Sequence, residues 1–92
     1  MPKDRKVVEA GLLKKGFRQR EGDHHFFVYW SLRGKKSVAF TKTSHSHREI
    51  GDPLLGRMAK QCKLTKANFL GLVDCPLSRE QYEDLLTKQG AV

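Results

Sequence analysis

Histidine holds and releases a proton near neutral pH more readily than any other side chain, its unperturbed pKa being about 6.5. This chain carries its histidines as two tight pairs, His24–His25 in GDHHFFVYW and His45–His47 in TKTSHSHREIGD. Such pairs suit metal ligation, acid–base chemistry or plain packing. Metal ligation is the weakest of the three. There is no CxxC or HExxH pattern, and neither pair has a thiolate partner at zinc-site spacing. No metal and no cofactor is expected. For acid–base work, geometry limits the first pair. A strand running through it sends successive side chains to opposite faces, so His24 goes with Phe26, Val28 and Trp30, and His25 with Phe27 and Tyr29. The two should not act on one phosphate. The pair reads as one candidate and one surface or packing residue.

The elements that must position these residues follow from periodicity and turn chemistry. Lys6 to Lys15 has helical spacing, with Val7, Val8, Leu12 and Leu13 toward one side; Gly11 weakens it and Gly16 stops it. Phe17 to Arg20 reads as a short strand, and Gly22-Asp23 as the turn into a second strand over His25 to Leu32. That strand is apolar on both faces, as a central strand partly covered on each side would be. Arg33-Gly34-Lys35 closes a hairpin onto a third strand, Ser37 to Thr41. The polar stretch TKTSHSHREIGD reads as a loop. Asp52 and Pro53 then start a helix with the stripe Leu54, Leu55, Met58, Ala59 and Cys62. Thr65 caps a short helix with Phe69, Leu70, Leu72 and Val73, broken by Cys75-Pro76. Ser78 with Gln81 opens a last helix as a capping box, with Tyr82, Leu85 and Leu86 inward. The expected class is α+β: an αβββα order with a three-stranded antiparallel sheet and extra C-terminal helices.

Composition narrows the partners. The 92 residues form one domain with a modest core, and 38% hydrophobic content argues against disorder. No apolar run approaches the ~20 residues that span a bilayer. MPKDRKVVEAG has no signal-peptide apolar core, which predicts a cytosolic chain with Cys62 and Cys75 as free thiols. Eighteen Lys and Arg against ten Asp and Glu give a net charge of +8, which favours a polyanion, RNA or DNA above others.

Four segments then stand in order: LLKKGF at the end of the first helix, REGDHHFF leading into the second strand, SHSHREIGDPLLGRMAKQ leading into the second long helix, and KANFL shortly after. The αβββα order of the elements is that of the double-stranded-RNA-binding fold. In detail the four segments resemble the HicA toxins of bacterial and archaeal toxin–antitoxin systems. The family pattern has a leucine-lysine helix ending in Gly-Phe, Arg-x-x-Gly-Ser-His leading into a strand, a later histidine loop and an amphipathic helix. The resemblance makes residues 1–73 the family core and residues 74–92 a C-terminal helical extension. It implies a metal-independent mRNA endonuclease held inactive by a HicB-like antitoxin protein. The family's key histidine lands on His24. A loop histidine lands on His45, as a second catalytic or phosphate-binding group.

Three departures accompany the likeness. Asp23 replaces the usual serine, Thr41 stands near a common proline, and the chain continues through DCPLSREQYEDLL. A carboxylate beside His24 would raise its basicity and repel phosphate. The continuation would either add an interface or complete the core. RNA cleavage without metal needs a base for the 2′-OH, an acid for the leaving 5′-oxygen and cations for the phosphate. Lys14, Lys15, Arg18, Arg20, Lys35 and Lys36 are the expected RNA-binding cations, and Gly22 the backbone turn that delivers His24. Phe26, Phe27, Tyr29 and Trp30 either stack on bases or, for most of them, fill the core. A non-catalytic RNA-binding module on this scaffold, or an inactive homologue that only binds its antitoxin, are the competing readings.

Overall fold

The computed structural model describes residues 3–20, 22–43, 48–74 and 76–91, apart from the side chains of Asp23 and His24. Helix α1 (Arg5–Lys14) follows the two-residue strand β1 (Lys3–Asp4). It starts at Asp4, whose carboxylate accepts from the Lys6 and Val7 amides and so satisfies two of the donors a helix start leaves open. Strands β2 (Phe17–Arg20), β3 (Asp23–Trp30) and β4 (Lys36–Lys42) form an antiparallel sheet in the order β2-β3-β4. The expected central strand is central, shifted two residues toward the N-terminus at both ends. Its far end is set by Ser31, whose hydroxyl accepts from the Arg33 and Lys35 amides and folds Ser31 and Leu32 into the turn. Gly34 holds φ +80 there, a left-handed conformation that glycine adopts without a Cβ penalty.

The loop stretch contains an element that periodicity misses. Strand β5 (Glu49–Ile50) pairs antiparallel with β1, as Lys3↔Ile50 and Asp4↔Glu49. Two residues are too few to show an alternation. Helix α2 (Asp52–Gln61) is capped by Gly51 without a side-chain bond; Asp52, expected as the cap, is already in the first turn, where it pairs with Lys66 at 3.2 Å. Helices α3 (Lys66–Asp74) and α4 (Arg79–Lys88) follow, α4 opened by the Ser78–Gln81 capping box.

All four helices contribute to one cluster with the inner face of the sheet. Val8, Leu12, Leu55, Met58, Phe69, Leu72, Tyr82 and Leu86 are buried there against Phe17, Phe27, Tyr29 and Ala39. The Tyr82 ring stacks on Phe17 at 5.7 Å and meets Tyr29 edge-on at 4.9 Å, and its hydroxyl donates to the Cys62 carbonyl. The C-terminal helix therefore completes the core, the second of the two roles open to it. Lys15 closes the same core from α1: its ammonium donates to the carbonyls of Leu72 and Leu77 at 2.8 and 2.7 Å. A Cβ on Gly11 would lie 2.6 Å from the Val73 carbonyl oxygen, so the glycine that weakens α1 also lets α1 and α3 approach.

Candidate nucleic-acid interface

Strand alternation divides the sheet into two faces of different chemistry. In β4 the inner residues Ser37, Ala39 and Thr41 are buried and the outer residues Lys36, Val38, Phe40 and Lys42 are exposed. Register carries this across the sheet, with Arg18 opposite Val28, Val28 opposite Phe40, Phe26 opposite Lys42, and Trp30 opposite Lys36. The outer face is thus built of aromatic and cationic side chains. Phe26 and Phe40 stack in parallel at 5.5 Å, the Arg18 guanidinium lies 4.4 Å over the Trp30 ring, and that of Arg20 lies 5.2 Å over Phe26. Val28 is buried beneath these neighbours, outside the main core. An open groove of about 450 Å³ runs over the face, lined by Arg18, Gln19, Arg20, Phe26, Val28, Trp30 and Lys36. Among the described side chains of the three strands there is no carboxylate. Phosphate would meet Arg18, Arg20, Lys36 and Lys42 there.

The structure sorts the expected cations. Arg18, Arg20 and Lys36 share the outer face. Lys14 is exposed in the last turn of α1 and does not line the groove on that face. Lys15, expected among the RNA-binding cations, is only 7% exposed, and its ammonium is committed to two carbonyls in the core. Helix periodicity missed this because Lys14 and Lys15 are equally polar in sequence. Lys35 is exposed in the turn and lines a separate groove with Ser31, Arg33, Glu83 and Thr87. Lys42 belongs to the outer face and was not anticipated. The signal was available, since Lys42 shares the alternation of Lys36 and Phe40.

The histidines separate as well. Gly22 adopts φ +82, and no atom stands within 4 Å of where its Cβ would be, so backbone conformation alone favours glycine. The backbone of His24 follows directly, as the second residue of β3 beside the Arg20–Asp23 pairing, where the register shifts. The His24 side chain and the whole of His45 and His47 lie outside the described residues. His25 turns toward α1. Its Nδ1 is 3.0 Å from Glu9 Oε2 and 3.0 Å from Thr43 Oγ1, and the Thr43 hydroxyl donates to the same carboxylate at 2.5 Å. The histidine expected to be a surface or packing residue is tied into a polar triangle between α1, β3 and Thr43, just past β4. Glu9 was not legible as its partner, because the contact joins residues 16 apart.

On the inner side the titratable groups are locked rather than poised. Burial pushes the Tyr29 hydroxyl up to about 12, helped by its donation to Glu83. The Cys62 thiol and Tyr82 hydroxyl are likewise raised by burial. Arg79 bonds the Trp30 carbonyl at 3.0 Å and holds the start of α4 against the end of β3.

No family model, curated protein or solved structure matches this chain. Among the described residues no helix is long and apolar enough to cross a membrane.

Proposed function

We propose that this chain is a metal-independent endoribonuclease of the HicA type, acting in the cytosol, with His24 as its general acid or base. The order α1–β2–β3–β4–α2, with the helices on one face of the sheet, supports reading the scaffold as double-stranded-RNA-binding-like. One observation carries the functional reading. The Gly22 turn delivers the His24 backbone to the start of β3, two positions before Phe26 of the cationic face, while His25 is committed to Glu9 and Thr43.

In this mechanism the base withdraws the proton of a ribose 2′-OH, and that oxygen attacks the adjacent phosphorus. The bond to the 5′-oxygen breaks as an acid protonates it, leaving a cyclic phosphate and a free 5′-hydroxyl. His24 supplies one of these proton transfers. Arg18, Arg20 and Lys36 hold the phosphates and offset the charge that builds on the phosphoryl oxygens. His45 is the second candidate for acid or phosphate contact. A HicB-like antitoxin with acidic character would silence the enzyme by covering the basic surface, since opposite charge speeds and orients such an association.

The second reading is a non-catalytic RNA-binding module or silenced homologue. Asp23, next to His24 in sequence, favours it, because a carboxylate beside the histidine would repel phosphate. The test uses the purified chain in chelator with two single-stranded oligonucleotides of one sequence, one RNA and one lacking every 2′-OH. Cleavage of the RNA alone, lost in His24→Ala with the fold intact, is the expected result. Salt-sensitive binding without cleavage by either protein would sink the enzyme and leave the second reading.

A further inference from the structure

We infer that the outer face of the β2-β3-β4 sheet is a stacking platform for unpaired nucleotides, with Trp30, Phe26 and Phe40 as base-stacking residues and Lys42 as an additional phosphate contact. The inference rests on RNA as the ligand, as proposed above, and names the form of RNA and the place where it binds.

Aromatic rings on an open sheet face are costly to leave in water; Phe26 and Trp30 are half-buried, and among the described residues no helix packs over this face. Phe40 is 39% exposed and Val38, beside it on β4, 63% exposed. The rings are already paired with flat cations, Arg18 over Trp30 and Arg20 over Phe26. A base, flat and with a π-face, takes the same kind of seat, between a ring and a guanidinium. Trp30 and Phe26 stand four positions apart on β3, about 13 Å at ~3.3 Å per residue, which separates two bases that are not in contact with each other. Lys36 and Lys42 flank them, opposite Trp30 and Phe26 respectively, so each aromatic seat has a neighbouring ammonium.

These features choose among occupants. A duplex keeps its bases stacked inside and offers rings nothing, and a flat sheet does not enter the deep, narrow major groove of A-form RNA. A second copy of the chain, set face to face, would oppose Arg18, Arg20, Lys36 and Lys42 with the same four charges, with no carboxylate among the described side chains of the strands to offset them. A single-stranded RNA segment satisfies both the rings and the cations.

Trp30 is the only tryptophan in the chain, so its emission reports on this face alone. The experiment titrates His24→Ala protein, which leaves RNA uncut, with an unstructured RNA oligonucleotide and with its blunt duplex, following Trp30 fluorescence and oligonucleotide anisotropy together. Single-stranded RNA should quench Trp30 in step with binding, and the duplex should bind more weakly without quenching. Phe40→Ala should weaken binding roughly 5- to 150-fold, the range for loss of one base stack. Val38→Glu, at a solvent-exposed position, should weaken it at least tenfold while circular dichroism stays unchanged. With four cations each meeting one phosphate, log K against log salt should have a slope near −3, falling by about 0.7 in Lys42→Ala. Binding with no change in Trp30 emission, equal affinity for duplex, or an unaffected Phe40→Ala would overturn the platform. Because the readout is binding, a protein that never cleaves RNA can still uphold it, and a cleaving protein can still refute it.

Discussion

Replacing Lys15 by methionine should unfold this protein far more readily than replacing its neighbour Lys14. The Lys15 ammonium reaches the C-terminal end of α3, donating to Leu72 O at 2.8 Å, and also bonds Leu77 O at 2.7 Å in the connection to α4. Leu72 lies in the last turn of α3, where carbonyls have few intrahelical partners and the helix dipole is negative. Methionine keeps the length and most of the apolar stem but removes both donations. Each carbonyl left without a partner costs ~1–3 kcal/mol, less where water can reach it. The favourable term at the helix end, ~0.3–1 kcal/mol, is lost as well. Relief from desolvating an ammonium offsets part of the sum. The net is about 2–4 kcal/mol, a large share of the ~5–15 kcal/mol that holds a domain together. With a urea m-value of about 1.2 kcal/mol/M, the midpoint should fall by roughly 2–3 M. Lys14→Met, at an exposed position, should move it by no more than about 0.5 kcal/mol. Equilibrium urea unfolding of the two variants, followed by circular dichroism, makes the comparison. Equal midpoints would show that the Lys15 contacts do not hold α3 in place.

Two glycines should respond to alanine with opposite signs. Gly56→Ala, in α2 with nothing within 4 Å of the new Cβ, should stabilise by up to ~1 kcal/mol through helix propensity. Gly11→Ala drives a Cβ into the Val73 backbone at 2.6 Å and should destabilise by about 1–3 kcal/mol despite the same propensity gain; thermal unfolding of both separates the effects. Stability should also fall with rising pH between 10.0 and about 12, where an unfolded Tyr29 releases a proton that the folded one keeps, and be intact with respect to this group below that window. Tyr82 and Cys62, also raised by burial, act in the same direction. Tyr29→Phe should flatten the decline in urea midpoint measured from pH 9 to 11.5, and an unchanged slope would assign the alkaline loss to other groups.

The architecture of this protein was legible along the chain because its signals are local. Gly16, Gly22 and Gly34 mark the strand boundaries, the Ser78–Gln81 box opens α4, and the aromatic run of β3 identifies the central strand. Alternation also foretold that Phe26 and Trp30 part company with Phe27 and Tyr29. Other features depend on contacts between residues distant in sequence, and no local pattern encodes those. Lys15 is an interior residue because Leu72 and Leu77 bring carbonyls to it across more than fifty positions. Glu9 holds His25 because folding brings the middle of α1 beside the start of β3. Gly11 is needed because α3 lies against it, and β5 exists because Lys3 and Asp4 arrive beside Glu49 and Ile50. Residue types and spacing therefore determined the longer elements and the two faces of the sheet, whereas Val7 and Leu13, read onto the apolar side of α1, are exposed because the core meets that helix only through Val8, Gly11 and Leu12. Only the folded chain decided which cations meet water and which meet carbonyls, since that depends on whether a partner is brought near enough to replace the solvent.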